Sequence, residues 1–153
     1  YYGRGPFENY IDRYSGAFIG RYEDKVENQF YWYIRPQETG NKTDVRWLTL
    51  LDSGGLGVKI TGLQPISFSA LHFSPEDLDP GLTRKLQHTI DIVPQKNIFL
   101  HVDLKQRGLG GDNSWGMYPH NEYRLLDKKY TYSYMIELVE KGSDKNDYLN
   151  SRK

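Results

Sequence analysis

Apolar and polar residues alternate along two stretches of the chain, which is the pattern of a β-strand with one buried face. In the first stretch, 97–104, every second residue is apolar, and these residues share one face: Ile98, Leu100, Val102 and Leu104. The second stretch, 129–138, repeats the pattern with aromatic and aliphatic residues: Tyr130, Tyr132, Tyr134, Ile136 and Leu138. Both stretches are therefore predicted as strands.

Four weaker strands are predicted where residues that favour strands are bounded by Gly, Pro, Asn or Asp. They cover 30–34, 44–51, 56–60 and 65–73. The spacing of these segments is typical of an antiparallel sandwich. The sequence therefore predicts an all-β fold, an antiparallel β-sandwich with one short helix.

The short helix is predicted directly after Ser74. Ser74 is suited to be the N-cap, with Pro75 at the first helical position and Asp77 at the third. Asp79-Pro80-Gly81 interrupts the helix, and a second short helix is predicted over 82–88.

Length and composition agree with a single β-rich domain. The 153 residues include 15 glycines, 7 prolines and 13 tyrosines, which favour strands and turns over helices. Residues 1–139 are predicted to form one unit and 140–153 a polar, frayed tail. Because the first residue is Tyr1 and the only methionines are Met117 and Met135, we expect the chain to be part of a longer product.

Charge and residue types exclude several classes of function. Twenty basic and twenty acidic residues give a formal net charge of zero, which argues against nucleic acid and membrane partners. The absence of cysteine excludes disulfides, thiolate zinc sites and cysteine nucleophiles. The four histidines lack the spacing of a metal site: they are His72, His88, His101 and His120.

Carboxylates are numerous, but their spacing identifies no catalytic pair. Glu8 and Asp12 lie four residues apart, and Asp103 and Asp112 flank a glycine-rich segment. A glycosidase needs two carboxylates on either side of one bond, which proximity in sequence does not establish. The favoured interpretation is that Glu8 and Asp12 fix turns and pair with a nearby arginine, Arg13 or Arg4.

The most unusual local feature is the glycine-rich segment 106–116, which contains Trp115 and several residues that tolerate positive φ. A tryptophan in such a loop is either displayed for a ligand or plugged into the end of the core. If it is displayed, its ring can stack on the apolar face of a sugar, with Asp112 and Asn113 available to hydroxyl groups.

Three separated motifs resemble one family. They are Tyr-Gly-Arg-Gly-Pro-Phe-Glu-Asn-Tyr-Ile-Asp-Arg at 2–13, Pro-Gln-Glu-Thr-Gly-Asn at 36–41 and Gly-Gly-Asp-Asn-Ser-Trp at 110–115. Together they resemble the C-terminal β-domain of LacZ-type β-galactosidases, in glycoside hydrolase family two, over about 2–138.

This resemblance implies that the chain is the C-terminal half of the fifth and last domain, a supersandwich similar to galactose mutarotase. It implies that the two catalytic glutamates lie on a preceding TIM-like barrel and hydrolyse terminal β-D-galactosides with retention. No catalytic residue is assigned to this chain. The segment itself is expected to hold no cofactor or metal, whereas the full-length enzyme is expected to bind magnesium, with sodium as a second candidate.

For the glycine-rich segment, the resemblance implies that Trp115 is a platform for the sugar or aglycone at the rim of the active site. Gly110, Gly111, Asp112 and Asn113 would shape the loop. Asn113 stands where Asp is frequent in the family, and Thr39 where Asn is common, so fine substrate preference is in doubt.

The leading hypothesis is a segment of a β-galactosidase that forms one wall of the substrate cleft, supports assembly and is inactive alone. The alternatives are a standalone carbohydrate-binding module and a purely structural domain with Trp115 in its core. Because half of a sandwich exposes a sheet edge and an apolar face, the isolated chain is expected to dimerise or to be marginally stable, and the enzyme to be a homo-oligomer. Cytoplasmic and periplasmic locations both stay open.

Overall fold

The structure is a computed structural model that describes residues 1–79, 81–83, 87–113 and 115–140. These residues form an antiparallel sheet of six strands. The strands are β1 (Tyr2–Gly5), β2 (Phe18–Arg21), β3 (Lys42–Leu51), β4 (Gly57–Leu71), β5 (Phe99–Asp103) and β6 (Tyr134–Val139). Their order is β2-β1-β3-β4-β5, and β6 also pairs with β4. The predicted all-β antiparallel class with one short helix is confirmed.

The centre of the sheet is the long hairpin of β3 and β4. Asp52 stabilises its turn, because the Asp52 Oδ1 atom accepts hydrogen bonds from the backbone N–H groups of Gly54 at 2.7 Å and Leu56 at 3.0 Å. The predicted strands 56–60 and 65–73 are one continuous strand, β4. The Gly and Pro between them do not end it. β4 carries the irregularity as extra residues, because Val45 and Trp47 of β3 pair with Ile66 and Thr61 of β4.

Two apolar clusters hold the sheet and its loops together. The first lies on one face of the hairpin: Val45, Leu48, Ile60, Ile66, Phe68 and Ala70. The second packs the loops against the end of β4: Phe30, Leu71, Phe73, Leu78 and Ile92. The strand predicted over 30–34 is wrong. Phe30 packs on Phe73, with ring centroids 4.5 Å apart, whereas Trp32 and Ile34, which would share its face in a strand, are exposed.

The predicted helix start is confirmed. Helix α1 (Pro75–Leu78) begins after Ser74, whose side chain accepts a hydrogen bond from the Asp77 N–H, while the Asp77 carboxylate accepts one from the Ser74 N–H. The second predicted helix, 82–88, lies partly outside the described residues. On either side of residues 84–86 the chain forms short 3₁₀ turns, Gly81–Thr83 and Thr89–Asp91.

Strand β6 is an edge strand with an open apolar face. The predicted strand is present, but it begins at Tyr134 and not at residue 129. The predicted buried face is wrong for this chain, because Tyr134 and Leu138 are exposed and Val139 is the buried residue of the strand. Leu48, Ile60 and Ile136 are directly opposite one another on β3, β4 and β6. Leu48 and Ile60 are buried, whereas Ile136 is 60 % exposed. The apolar face of the core therefore continues to the sheet edge and is uncovered there.

Of the predicted tail, 140–153, only Glu140 is among the described residues. Within the described part of the chain, no helix has the length and apolarity needed to cross a membrane.

Candidate functional site

The glycine-rich loop that follows β5 displays Trp115 on the surface. The Trp115 side chain is 89 % exposed. Its backbone N–H donates a hydrogen bond of 2.8 Å to the Asn113 Oδ1 atom, so Asn113 supports a local turn. The alternative in which Trp115 fills the core does not agree with this structure.

The glycines of this loop let neighbouring atoms pack close to the backbone, and most of them do not adopt a positive φ. A Cβ atom on Gly108 would lie 2.7 Å from the Asp12 Oδ2 atom, and one on Gly111 would lie 2.3 Å from the Met117 carbonyl oxygen. Among the described loop glycines only Gly116 has a positive φ, +93°. At Gly108 and Gly111 the tolerance of positive φ is therefore not used, and the space left by the missing side chain is what matters.

Asp112 in the glycine-rich loop forms a hydrogen bond with His120, which follows the loop in sequence. The Asp112 Oδ1 atom lies 2.7 Å from the His120 Nε2 atom. This hydrogen bond and the negative charge of Asp112 raise the pKa of His120. Both side chains are largely exposed, so the pair contributes little to stability. Asp112 thus shapes the loop through His120.

Asp12 connects the loop to the N-terminal part of the chain. The Gly110 N–H donates a hydrogen bond of 2.8 Å to the Asp12 Oδ2 atom, across 98 positions of sequence. Asp12 lies in a tight turn that is closed by two backbone hydrogen bonds between Tyr10 and Arg13. The N-terminal motif and the glycine-rich motif therefore meet at this point.

Glu8 is a buried carboxylate next to the same turn, with three side-chain partners and one backbone partner. It accepts hydrogen bonds from Thr39 Oγ1 at 2.8 Å, the Gly40 N–H at 2.8 Å and Arg13 at 2.7 Å, and also from the Tyr33 hydroxyl. Burial alone would raise the pKa of Glu8, but these donors outweigh it and lower the pKa. The interpretation that Glu8 pairs with a nearby arginine is confirmed for Arg13.

Asn9 joins this turn to strand β3 and has no exposed surface. Its amide nitrogen donates hydrogen bonds to the carbonyl oxygens of Arg4 and Phe7, and its amide oxygen accepts them from the N–H and the hydroxyl of Thr43. Its backbone N–H donates to the Asn41 carbonyl oxygen. The motifs at 2–13 and 36–41 are therefore joined by a buried polar network.

The candidate carboxylates go to separate partners and do not converge. Glu8 is buried and accepts a hydrogen bond from Arg13, and Asp12 accepts one from the Gly110 N–H. Asp103 accepts a hydrogen bond of 3.2 Å from the Gln106 side chain, and Asp112 contacts His120. Such an arrangement offers acceptors that hold loops in place. Among the described residues no group of three His, Cys, Asp or Glu side chains is placed to hold a metal ion.

Sequence reasoning missed two members of the buried network. Tyr33 lies in a segment predicted as a strand, so its bond to Glu8 was not anticipated. Lys42 begins β3 with only 1 % of its surface exposed, and its Nζ atom donates a hydrogen bond of 3.0 Å to the Gly40 carbonyl oxygen. A lysine at this position carries no sequence signal of burial, because lysine is almost always exposed.

Comparison with known proteins gives one consistent result. Residues 1–136 match the model of the family described as "Beta galactosidase small chain". A β-galactosidase of Priestia megaterium is 38 % identical over 138 residues, which is 90 % of this chain and 13 % of that protein. A β-galactosidase of Streptococcus thermophilus is 37 % identical over 139 residues, 90 % of this chain and 13 % of that protein. One of Vibrio cholerae is 32 % identical over 138 residues, 90 % of this chain and 12 % of that protein.

Proposed function

Since the chain belongs to the β-galactosidase small-chain family, we propose that it is the C-terminal segment of a larger β-galactosidase and forms one wall of the substrate cleft. The reaction proposed for the whole enzyme is hydrolysis of terminal β-D-galactosides with retention. Its two catalytic glutamates and its magnesium site are assigned to the rest of the polypeptide, on a barrel domain. The matched relatives support this, because the chain covers only 12–13 % of their lengths.

The exposure of Trp115 is the observation that supports a role at the cleft. An aromatic ring of this size is costly to leave in water, and the loop beneath it is fixed to the sheet through Asp12. A flat, exposed indole on a fixed loop suits stacking against the apolar face of a sugar or its aglycone. Gly111 allows the close approach to Met117 and Gly110 bonds to Asp12, while Asp112 and Asn113 make contacts at the tip.

Replacing Trp115 with alanine in the complete enzyme is expected to raise KM about 5- to 30-fold, as loss of a stacked aromatic worth about 1–2 kcal/mol requires. The inhibition constant of a non-hydrolysable galactoside should rise by a similar factor. Steady-state kinetics and inhibitor titration measure both values.

Trp32→Ala is the matched control, because Trp32 is also an exposed tryptophan, at 65 %, and lies in another loop. Its KM should equal that of the unchanged enzyme. Wild-type KM and inhibition constants in Trp115→Ala would reject the platform role.

The open face of β6 supports the proposal that the rest of the β-galactosidase chain covers this sheet. Leu138 is 84 % exposed and lies opposite Val58, which pairs in turn with Leu50. An uncovered apolar face that is continuous with a core favours association. The missing layer of a mutarotase-like supersandwich would bury it, and the enzyme is proposed to assemble as a homo-oligomer.

The same face predicts how the separate 153-residue chain behaves. We expect it to self-associate, and Leu138→Lys with Ile136→Thr to shift it toward monomer in sedimentation velocity. Leu82→Lys is the control, because Leu82 is fully exposed but lies outside the sheet. A monodisperse, heat-stable monomer without any substitution would contradict the expectation.

A standalone carbohydrate-binding module remains the alternative, since an exposed tryptophan on a β-sheet scaffold also suits that role. The two proposals differ in what the separate chain binds. Titration with galactose or lactose, followed by tryptophan fluorescence, should show no saturation if Trp115 is one part of a larger pocket. Saturable binding that disappears in Trp115→Ala would favour the binding module.

A further inference from the structure

We propose that Asp12 is a positioning residue for Trp115, holding the glycine-rich loop so that the indole faces the substrate; this rests on the proposed function of Trp115. The carboxylate acts through the Gly110 N–H, which donates to its Oδ2 atom at 2.8 Å. Asp12 itself does not need to touch the sugar. The N-terminal motif at 2–13 then has a role at the Trp115 site, although it lies far from Trp115 in sequence.

The loop is shaped around the Asp12 carboxylate. Gly108 packs so closely that a Cβ atom there would lie 2.7 Å from the Oδ2 atom and 2.8 Å from the Asp12 Cγ atom. The Gly108 N–H donates a hydrogen bond of 2.7 Å to the Tyr123 carbonyl oxygen. The base of the loop is thus held between the Asp12 turn on one side and residue 123 on the other.

Asp12 is itself held firmly. It occupies the turn that Tyr10 and Arg13 close with backbone hydrogen bonds of 3.2 and 2.8 Å. The Tyr10 side chain is buried, and Arg13 is paired with the buried Glu8. Through Asn9 the same segment is bonded to β3. The position of the Asp12 carboxylate is therefore set by the central hairpin of the sheet.

Among the described residues, the tip of the loop is otherwise held by two hydrogen bonds. The Trp115 N–H bonds to Asn113 within the tip, and Asp112 bonds to His120 through two exposed side chains. Exposed contacts of this kind order a loop weakly. A carboxylate that accepts a backbone N–H is a stronger bond, because the acceptor is charged. The orientation of Trp115 therefore depends chiefly on the anchor at Gly110.

The Asp12 carboxylate has no competing attachment in the described part of the chain. Its Oδ1 atom is buried there and makes no hydrogen bond. The hydrogen bond that the structure shows for this carboxylate is therefore the one from the Gly110 N–H to its other oxygen atom. The geometry fits a carboxylate committed to the loop.

The test uses the complete enzyme with four variants: Asp12→Ala, Asp12→Asn, Trp115→Ala and the double variant Asp12→Ala/Trp115→Ala. Asp12→Ala is expected to raise KM about 3- to 10-fold with kcat little changed, in the range of one lost hydrogen bond of ordinary strength. Asp12→Asn keeps an oxygen acceptor for Gly110 and should stay within about threefold of the unchanged enzyme. The double variant should match Trp115→Ala alone, because a residue that acts only through Trp115 adds nothing once the indole is gone.

Hydrogen exchange measures the anchor independently of activity. Peptides that contain Gly110 should exchange faster in Asp12→Ala and stay protected in Trp115→Ala. Should Asp12→Ala fail to fold, Gly108→Ala replaces it, since its Cβ atom would push the carboxylate away and should give the same coupling to Trp115. Asp52→Ala is the control: it loses the same kind of backbone hydrogen bond in the β3–β4 turn, and its KM should not change.

Additive effects of Asp12→Ala and Trp115→Ala on KM would overturn the proposal, as would unchanged exchange at Gly110. If Trp115→Ala leaves KM unaltered, the platform role of Trp115 fails, and with it the positioning role. Faster exchange in Asp12→Ala would then show that Asp12 anchors the loop for a purely structural purpose. An unchanged KM in Trp115→Ala therefore identifies failure of the platform role, and unchanged exchange at Gly110 in Asp12→Ala identifies failure of the positioning role.

Discussion

Replacing Asn9 with alanine is expected to destabilise the 153-residue chain by about 3–5 kcal/mol, the range seen when a buried hydrogen-bond network is broken. Asn9 has no exposed surface and uses both ends of its amide. Alanine would leave the carbonyl oxygens of Arg4 and Phe7 and both polar groups of Thr43 without this partner. Water cannot replace the amide without opening the turn that leads to Asp12.

Urea unfolding followed by circular dichroism measures the loss. Because many domains are stable by only about 5–15 kcal/mol, the variant should unfold at much lower urea concentration or be unfolded in buffer. Asn28→Ala is the matched control: the Asn28 side chain is exposed and bonds to Asp24 within one turn of chain. That control should cost less than about 1 kcal/mol. Equal losses of unfolding free energy in Asn9→Ala and Asn28→Ala would refute the prediction that the hydrogen bonds of Asn9 are important for stability.

The sheet was largely predictable where one face of a strand is buried and the other is not. Residues 97–104 alternate and lie where β5 forms, and residues 44–51, predicted from their types and boundaries, lie within β3. Strand β1 gave no such signal, because Gly3 lies against Val45, where a Cβ atom would come within 2.6 Å of the Val45 side chain. Close packing of two backbones removes the side chains on which alternation depends.

The candidate site was predictable in its residue types but not in its connections. The loop and its tryptophan stand out in the sequence, and the exposure of Trp115 agrees with the displayed alternative. What the sequence could not show is that Asp12 reaches Gly110, since 98 positions separate them. Contacts of this kind depend on the path of the chain, which local propensity does not determine.

The different positions of the Glu8 and Asp12 carboxylates also could not be predicted from local sequence. They lie four residues apart, and this spacing does not show whether their carboxylates meet. A tight turn between Tyr10 and Arg13 instead sends Glu8 into the protein and Asp12 toward the loop. Burial with four donors keeps Glu8 ionised and structural, which is the opposite of the raised pKa that a catalytic acid requires.

Lys42 leads to the second large effect, a stability that rises with pH. Burial lowers the pKa of Lys42 to about 8, against an opposing contribution from the charges of Glu8 and Asp24. Below pH 8 the lysine is protonated in both the folded and the unfolded chain. Between pH 8 and about 10.5 the folded chain has released this proton while the unfolded chain still binds it. Over this range the unfolded state binds more protons, so the free energy of unfolding increases with pH.

The expected gain is about 2–3 kcal/mol between pH 8 and 10, at about 1.4 kcal/mol for each unit of pH. Burial raises the pKa values of Tyr1 and Tyr10, so above pH 10 their ionisation in the unfolded chain lowers the stability again. The comparison of variants removes this contribution, because both tyrosines are present in each. Lys42→Met should abolish the rise, whereas Lys96→Met, at an exposed lysine, should retain it. Urea unfolding at half-unit steps of pH measures the difference. If the free energy of unfolding still rises with pH in Lys42→Met, then Lys42 is not the group responsible, and its ammonium group reaches water in the folded chain.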